Sequence, residues 1–172
     1  MAYMENIHRI FWFAITMLTG ILAGFLISHS VMLGRYFTWL IESGNYQVFT
    51  DTFSVFRNVT RANVHYNLFL WASFIVGILW TILCFIIKKS RVIALIAGLS
   101  SFWVSCVFFA SNFSEAEEAV ASGVADEAVR QFFVSWNLPL HTSFAAFYTI
   151  CFFLLLLSGI KEIRPKTSLP VE

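Results

Sequence analysis

The stretch Trp136-Asn137-Leu138-Pro139-Leu140-His141 opens the last long apolar run of the chain. It combines an indole, an amide and an imidazole at the start of a run that otherwise has the composition of a membrane-spanning helix. Polar and ionisable side chains at membrane depth are costly, and by default they indicate function. The centre of the candidate site is therefore expected at this stretch, and the other apolar runs should bring polar residues to the same level.

The composition of the 172-residue chain is typical of a membrane protein. Hydrophobic residues make up 59% of it and charged residues only 12%, whereas a soluble domain carries about 25% charged residues. A globule of this size cannot bury so much apolar surface, so a lipid bilayer must cover part of it. The net charge of +1 argues against nucleic acid as a partner, because no basic face is available to neutralise phosphates.

The three cysteines, Cys84, Cys106 and Cys151, lie inside apolar runs. Their number is odd, and no two of them form a Cys-x-x-Cys pair. Buried small hydrophobes are therefore a better interpretation than a disulfide framework or a thiol-redox site.

Four apolar runs are long enough to cross a bilayer, which takes roughly 20 residues. They cover about residues 11–33, 66–87, 92–113 and 139–160. The sequence therefore predicts an all-α integral membrane protein, a single transmembrane four-helix domain over residues 1–172 with two structured outer loops. Cleavage of the first run as a signal peptide near Ser28-His29-Ser30 is the alternative, but the run exceeds the usual apolar length of about 7–15 residues.

Gly20 and Gly24 form a GxxxG pair in the first run. Small residues at this spacing let two helix backbones approach closely. We expect the pair to pack the first helix against its neighbours within the chain, and self-association into a homo-oligomer is the alternative.

The first outer connection, residues 34–64, is long enough to have structure of its own. Phe49, Phe53, Phe56 and Val59 recur in it at helical spacing. This pattern predicts a short amphipathic helix that packs on the bundle or on the membrane surface.

The second outer connection contains Ser114 with Glu117 three residues later, which is the pattern of a capping box. We expect a helix to begin there and Gly123 to interrupt it. Pro139 suits the first turn of the fourth span, where a missing N–H costs no helix hydrogen bond.

Basic residues divide unequally between the two ends of the predicted bundle. Seven lie in the N-terminal lead, the turn after the second span and the tail: Arg9, Lys88, Lys89, Arg91, Lys161, Arg164 and Lys166. Four lie in the two longer connections: Arg35, Arg57, Arg61 and Arg130. The positive-inside rule then predicts a plasma-membrane or inner-membrane protein with both termini in the cytoplasm.

With this topology, polar side chains collect at the outer end of the predicted bundle. They are His29 in the first span, His65 and Asn67 at the start of the second, Asn112 at the end of the third, Asn137 and His141 in the fourth, and Arg61 from the first connection. A convergent pocket at one end of a helix bundle is typical of a small-molecule site. The alternative is an interfacial belt, because aromatic and amphipathic side chains are favoured at span ends.

Histidines from several helices can also hold a metal or a haem. The chain has no His-x-x-x-His pair or other fixed ligand spacing, so no metal site is predicted. His65 and His141 are the pair that could face each other as axial haem ligands. The identity of any cofactor, haem or flavin included, stays open.

Two segments carry a family resemblance. The stretch Leu18-Thr19-Gly20-Ile21-Leu22-Ala23-Gly24-Phe25, with Ser28, Ser30-Val31-Met32 and Gly34 after it, forms a glycine-rich first helix that runs into a small-residue segment. Trp136, Asn137 and His141 open the last span. Both segments resemble the DUF1772 or anthrone-oxygenase-like family of small four-span membrane proteins. The resemblance implies four spans with a long first loop and, for a few members, oxygenase activity on anthrone-like aromatic polyketides.

Together these features predict a membrane-embedded oxidoreductase or oxygenase that acts on a hydrophobic, aromatic or quinone-like small molecule in a pocket at the outer end of the bundle. His141 would be the general base or proton relay, because a histidine with a near-neutral pKa suits deprotonation of an activated aromatic carbon. Asn137 and Trp136 would position the substrate. The wall would be completed by His65, His29, Asn112, Asn67 and Arg61.

A function of another class is the alternative. The same bundle could be a non-catalytic membrane protein that binds a lipid-like ligand or haem, or a small subunit of a larger membrane complex. The GxxxG pair and the aromatic surfaces are compatible with either role.

Overall fold

The computed structural model describes residues 2–163 of the chain, and almost all of them are helical. The α-helices in chain order are α1 (Ala2–Ser28), α2 (Gly34–Glu42), α3 (Tyr46–Phe49), α4 (Val55–Thr60), α5 (Ala62–Ile87), α6 (Arg91–Ile93), α7 (Ser100–Ala110), α8 (Phe113–Ala121) and α9 (Glu127–Ile163). Turns of π-helix join some of them: π1 (His29–Leu33), π2 (Thr50–Ser54) and π3 (Ala94–Gly98). No strand is present in this range, which confirms the all-α class. Arg164 and Lys166 of the predicted basic tail lie outside the described residues, as does the side chain of Lys161.

Three stretches of helix within residues 2–163 are long and apolar enough to cross a membrane: Tyr3–Glu42, Asn63–Ile87 and Glu127–Ile160. A fourth is formed if Arg91–Gly98 and Ser100–Ala110, which meet at a bend of 42°, count as one broken span. The bend follows π3, whose hydrogen-bond pattern departs from that of an α-helix. Residues 2–163 therefore contain three such helices, or four with the bent pair counted as one span.

The first long helix does not end at Leu33, where the sequence pattern predicted a connection. It continues through π1 into α2 and ends at Glu42. Phe37, Leu40 and Ile41 repeat the helical spacing and are buried, and α2 packs against α9. This packing keeps the chain helical, so the prediction of a connection that starts at residue 34 was wrong.

The aromatic stripe of the first connection is split between two faces. Phe49 and Phe53 pack against Phe37, with ring centroids 5.1 and 4.3 Å from it. Phe56 and Val59 are instead exposed. The physical reason is π2, because the extra residue in its turn changes the phase of the helix between the two halves of the stripe.

The predicted capping box of Ser114 and Glu117 was wrong. α8 begins one residue earlier, at Phe113, and is preceded by Asn112 with a positive φ of 56°. Phe113 is fully buried, so the core anchors this helix start and the serine hydroxyl does not. The helix ends two residues before Gly123, which has a φ of 78°, and this confirms the predicted interruption.

α9 is longer than the predicted fourth span, and Pro139 lies in its interior. The helix begins at Glu127, where a carboxylate oxygen of Asp126 accepts a 2.9 Å hydrogen bond from the Val129 N–H, as an N-cap does. The prediction that Pro139 opens the helix was wrong. Phe133 is buried on the N-terminal side of the proline, so core packing holds the helix continuous although the proline removes one N–H donor.

α1 packs against both α5 and α9, and the segment from α6 to α7 packs against the same two helices. The backbones of α5 and π3 approach each other closely, because a Cβ added to Gly77 would collide with the carbonyl oxygen of Gly98. Gly20 lies against Phe152 of α9, whereas Gly24 faces open space. Close packing of the GxxxG pair is therefore found at Gly20 and not at Gly24.

Charged side chains mark the two opposite ends of the long helices. At one end, Lys89 Nζ lies 3.0 Å from a carboxylate oxygen of Glu5, which joins the turn after α5 to the start of α1. At the other end, Arg57 of α4 forms an ion pair of 2.6 Å with Glu118 of α8. The connections that contain α4 and α8 therefore pack on each other, at the end of the long helices opposite the lysine-rich turn.

Candidate functional site

Two histidines and an asparagine meet at the end of the molecule that contains α8. The rings of His29, in π1, and His141, in α9, have centroids 4.2 Å apart and an interplanar angle of 32°. Asn137, one turn before His141, places its Oδ1 3.4 Å from His29 Nε2. His141 is 8% exposed and Asn137 only 1%. We call these three residues the histidine cluster.

The hydrogen bonds of the histidine cluster determine where each neutral ring carries its proton. His141 Nδ1 lies 2.8 Å from the carbonyl oxygen of Asn137. A carbonyl only accepts, so Nδ1 is the donor and the lone pair of His141 is on Nε2. Asn137 Nδ2 donates to the carbonyl oxygen of Gly34 at 3.0 Å. This bond orients the amide and leaves Oδ1 to accept from His29 Nε2–H, so the lone pair of His29 is on Nδ1.

The π1 turn holds His29 in place. The Gly34 N–H donates to the His29 carbonyl in the wider hydrogen bond of a π-helix. A Cβ at Gly34 would lie 3.0 Å from both Nε2 and Cδ2 of the His29 ring, so only glycine leaves the ring its present position. Thr38, one turn further, accepts a second hydrogen bond from Asn137 Nδ2 at 3.2 Å. Turns of π-helix are frequent at functional sites.

Aromatic rings surround the histidine cluster. Phe113 meets the His141 ring edge-on with centroids 5.6 Å apart, and Phe144 does so at 6.5 Å. Phe37 meets His29 edge-on at 6.2 Å. All three phenylalanines are buried. Apolar walls keep bulk water away, and in such surroundings a fixed dipole or lone pair acts more strongly on a neighbouring charge than in water.

Five predicted site residues lie outside the histidine cluster. Trp136 is 46% exposed, because it is rotated by one residue from the buried face that carries Asn137. The side chains of Asn67, His65, Arg61 and Asn112 are exposed as well. Arg61 and Asn112 have positive φ angles of 52° and 56° and stand at helix boundaries. The structure therefore brings together three of the eight predicted residues.

His65 does not face His141. It lies exposed on α5 with Nδ1 3.2 Å from the carbonyl oxygen of Arg61. The ring that faces His141 belongs to His29, and the two rings are in contact, so a porphyrin does not fit between them. The pair considered for axial haem ligation is therefore not formed.

Two open grooves run beside α1. The larger, of about 430 Å³, follows the contact between α1 and α9 and is lined by Ser30 and Val31 on one side and by Thr142, Ala145 and Thr149 on the other. The smaller, of about 160 Å³, follows the contact between α1 and α5 and includes Phe25, His65 and Tyr66. Small-molecule sites usually measure about 300–1,000 Å³, so only the larger groove fits. None of the three residues of the histidine cluster lines it, although Ser30 and Thr142 directly follow His29 and His141 in the chain.

An acidic side chain of α8 titrates near neutral pH at the same end of the molecule. Glu117 is half-buried, and burial raises its pKa to about 7. The Arg57 guanidinium lowers this pKa, and the neighbouring Glu118 raises it. Glu117 is therefore partly protonated under physiological conditions.

Gly34 and Thr38 are the members of the site that the sequence did not reveal, because both were assigned to a connection. Their spacing from His29 was a usable signal, since Gly34 is five residues after His29 and Thr38 is nine residues after it. These intervals return to nearly the same face of a helix that contains one π turn. Among residues 2–163, no group of three or more His, Cys, Asp or Glu side chains could hold a metal ion.

Comparison of the chain with protein-family models, with curated proteins and with solved structures gives no match.

Proposed function

We propose that the chain is an integral membrane protein whose long helices form a four-helix bundle, with the bent α6–α7 segment as the third span. The exposed surface of these helices supports this, because Leu68 and Trp71 on α5 are 65% and 61% exposed. Extended apolar surface of this kind is rare on soluble monomers. In the proposed orientation both termini lie in the cytoplasm, and the membrane is the plasma or inner membrane.

The proposed function is that of an oxidoreductase or oxygenase for a hydrophobic, aromatic or quinone-like small molecule. The observation that carries it is the histidine cluster, in which the buried His141 and the half-buried His29 share one asparagine that orients both. Ionisable side chains inside apolar helices are costly to bury, and function explains such a pair better than packing does. The resemblance to the anthrone-oxygenase-like family is part of this proposal.

The chemistry proposed for the cluster is proton abstraction by His141. The proton of an activated C–H, such as the methylene between the rings of an anthrone, passes to His141 Nε2, and the electron pair of that bond stays on the substrate as a ring-delocalised carbanion. Molecular oxygen, the co-substrate of an oxygenase, accepts these electrons and bonds to the carbon, and the imidazolium returns the proton to give a hydroperoxide. Loss of water, which takes the second hydrogen of that carbon and one oxygen atom, leaves the other oxygen atom as a quinone carbonyl. The Nδ1–H bond to the Asn137 carbonyl stabilises the imidazolium that forms, as the orienting partner of a catalytic histidine does.

The larger groove is the proposed binding site for the hydrophobic part of the substrate. Two of its hydroxyls bond to their own helices, since Ser30 donates to the Leu26 carbonyl and Thr149 to the Ala145 carbonyl. The groove walls are therefore apolar in character, and they suit a molecule that enters sideways from the lipid.

The test is a comparison of His141→Phe with His65→Phe. Phenylalanine has a similar volume and is well tolerated beside lipid, so both variants should melt within a few degrees of the wild type in detergent. Oxygen consumption with an anthrone as the substrate should fall at least about tenfold in His141→Phe, since a positioned acid or base usually contributes about 100-fold or more. His65→Phe should retain the wild-type rate, because its side chain lies outside the histidine cluster. Equal rates in the two variants, or a His141→Phe rate equal to the wild type, would contradict the proposal.

A non-catalytic role is the second candidate, and the apolar walls of the larger groove favour it. In that case the protein binds a lipid-like ligand, or acts as a small subunit of a larger membrane complex, and no anthrone-dependent oxygen consumption occurs in any variant. An absorbance spectrum of the purified wild-type protein separates further alternatives, because haem and flavin each have characteristic visible bands.

A further inference from the structure

A layer of hydroxyl groups crosses the interior of the long helices, well away from the histidine cluster. It contains one or two side chains from each of four helices: Thr19 of α1, Ser73 of α5, Ser100 and Ser101 of α7, and Tyr148 of α9. None of these residues is more than 1% exposed. Ser101 Oγ donates to Ser73 Oγ at 2.8 Å and lies 3.0 Å from the Tyr148 hydroxyl. We call these five residues the hydroxyl layer.

The pairing of α1 with α5 puts Thr19 at the level of Ser73. The end of the Ile15 side chain lies 3.4 Å from the Cβ position of Gly77, so these two residues are opposite each other in the antiparallel pair. One turn forward on α1 leads to Thr19, and one turn back on α5 leads to Ser73. Both residues are therefore at the same height in the interior.

α9 contributes to the layer through the hydroxyl at the end of a long side chain. Gly20 lies against Phe152, and Tyr148 is one turn closer to His141 in the same helix, but its hydroxyl lies 3.0 Å from Ser101 Oγ. Ser100 adjoins Ser101 in the chain, and Ser101 bonds to both Ser73 and Tyr148. The four helices thus bring their hydroxyls to one level of the interior.

Two members of the hydroxyl layer are left without a hydrogen-bond partner among the described residues. They are Thr19 Oγ1 and Ser100 Oγ, and both residues are 0% exposed. Thr16, one turn before Thr19 on α1, differs in this respect, because its hydroxyl donates to the Trp12 carbonyl at 2.7 Å. Buried hydroxyls in proteins are nearly always paired with protein groups or with ordered water.

We propose that the hydroxyl layer is a binding site for internal water, which pairs with Thr19 and Ser100 and connects them to the Ser73–Ser101–Tyr148 chain. Water fits this site because it needs two to four polar partners, and the layer offers unpaired hydroxyls that can each donate and accept. A metal cation does not fit, because the layer contains no carboxylate to balance a charge that would be buried among apolar helices. An apolar ligand would leave the two hydroxyls unpaired.

The position of this site makes it independent of the histidine cluster. His29 lies ten residues beyond Thr19 in a continuous helical segment, which corresponds to about 15 Å at 1.5 Å per residue. The proposal would therefore stand if the proposed function failed.

The first measurement compares Thr19→Val with Thr16→Val by thermal melting in detergent. Valine has nearly the shape of threonine, so each variant removes a hydroxyl and leaves the packing intact. If water bridges Thr19 to Ser100, Thr19→Val leaves that water and Ser100 poorly paired, and its melting temperature falls by about 2–4 °C more than that of Thr16→Val. If Thr19 Oγ1 is dry and unpaired, Thr19→Val melts higher than Thr16→Val, which would overturn the proposal. Equal melting temperatures would also overturn it.

The second measurement is hydroxyl-radical footprinting of the wild type, in which radicals formed from internal water label the side chains beside it. Tyr148 is fully buried, yet it should be labelled, whereas Phe49, at 1% exposure and in another part of the core, should not be. The double variant Thr19→Val with Ser100→Ala should lose the label at Tyr148. An unlabelled Tyr148 in the wild type, or a label that survives in the double variant, would count against a hydrated layer. The proposal requires the expected result in both measurements.

Discussion

Asn137 joins three parts of the chain through one residue. Its side-chain amide donates to Gly34 and Thr38 and accepts from His29, and its backbone carbonyl accepts from His141. A leucine of similar size could fill the same volume but could not orient two imidazoles. The residue therefore contributes geometry as well as packing, and the tautomers of both rings depend on it.

Glu117 is the residue whose titration should affect stability near neutral pH. Its pKa in the folded protein is about 7, above the ordinary 4.5, because burial disfavours the charged form. A raised carboxyl pKa means that the folded state binds the proton more tightly than the unfolded state. The stability that the protonated Glu117 carboxyl contributes to the folded state is therefore complete below about pH 4.5 and is lost as the pH rises through 7.

Glu117→Gln should remove this pH dependence, because glutamine resembles the protonated acid. We expect the wild type to melt lower at pH 8 than at pH 5.5. The free-energy difference between these two pH values is bounded at about 2 kcal/mol, since a pKa change of one unit corresponds to about 1.4 kcal/mol and part of the stabilisation is already lost below pH 5.5. The half-burial of Glu117 makes the real value smaller. The variant should melt higher than the wild type at pH 8. Glu115→Gln, an exposed position on the same helix, should keep the wild-type dependence. Parallel melting curves for the wild type and Glu117→Gln at both pH values would contradict this assignment.

At the scale of elements, the π turns determine which side chains face the interior. π1 sets the contact of His29 with Gly34, and π2 splits the aromatic stripe so that Phe49 and Phe56 face different ways. Each inserts one residue into an otherwise regular helix. A helical wheel drawn for an uninterrupted α-helix therefore misplaces every residue beyond the insertion.

The comparison of Gly34→Ala with Gly24→Ala tests the role of π1. A methyl group at Gly34 would press on the His29 ring, with three His29 atoms within 3.1 Å of its position, whereas Gly24 has nothing within 4 Å. Gly34→Ala should therefore displace His29 and reduce anthrone-dependent turnover at least about tenfold, an effect of roughly 1.4 kcal/mol on the transition state. Gly24→Ala should leave turnover unchanged and stabilise the helix slightly. If histidine NMR signals and turnover are the same in both variants, π1 does not position His29.

At the scale of the whole molecule, the two ends differ in charge and in structure. The end with Lys89 and Glu5 has a very short turn between α5 and α6, whereas the opposite end has the helices α3, α4 and α8 packed on each other. The histidine cluster belongs to the second end, because Phe113 at the start of α8 contacts His141. The orientation of the chain in a membrane therefore decides which compartment the cluster faces.

Cysteine labelling in intact cells tests the proposed orientation. In a Cys106→Ser background, which removes the exposed native cysteine, Ser122→Cys should react with an impermeant thiol reagent, since Ser122 is exposed just after α8. Ser90→Cys, in the turn before α6, should react only after the cells are permeabilised. The opposite pattern would invert the topology and turn the histidine cluster towards the cytoplasm.

Much of the architecture could be predicted from the sequence, because hydropathy and helix length depend on composition along the chain. The helical class, the approximate positions of the apolar helices and the break at Gly123 follow from such local patterns. His141 and Asn137 could be selected as candidate site residues in the same way, since polar residues in an apolar run are functional candidates whatever their direction.

The tertiary structure alone decided which polar residues meet. Trp136 lies beside Asn137 in the predicted centre, yet it points outwards, because one residue along a helix turns the side chain by about 100°. His65 was predicted to face His141, yet it is exposed on α5. The partnership of His29 with His141 depends on the antiparallel register of α1 and α9, and on the extra residue in π1. The continuation of α9 through Pro139 depends on burial of Phe133 against α8. Contacts between distant segments determine these features, and hydropathy along one segment carries no information about them.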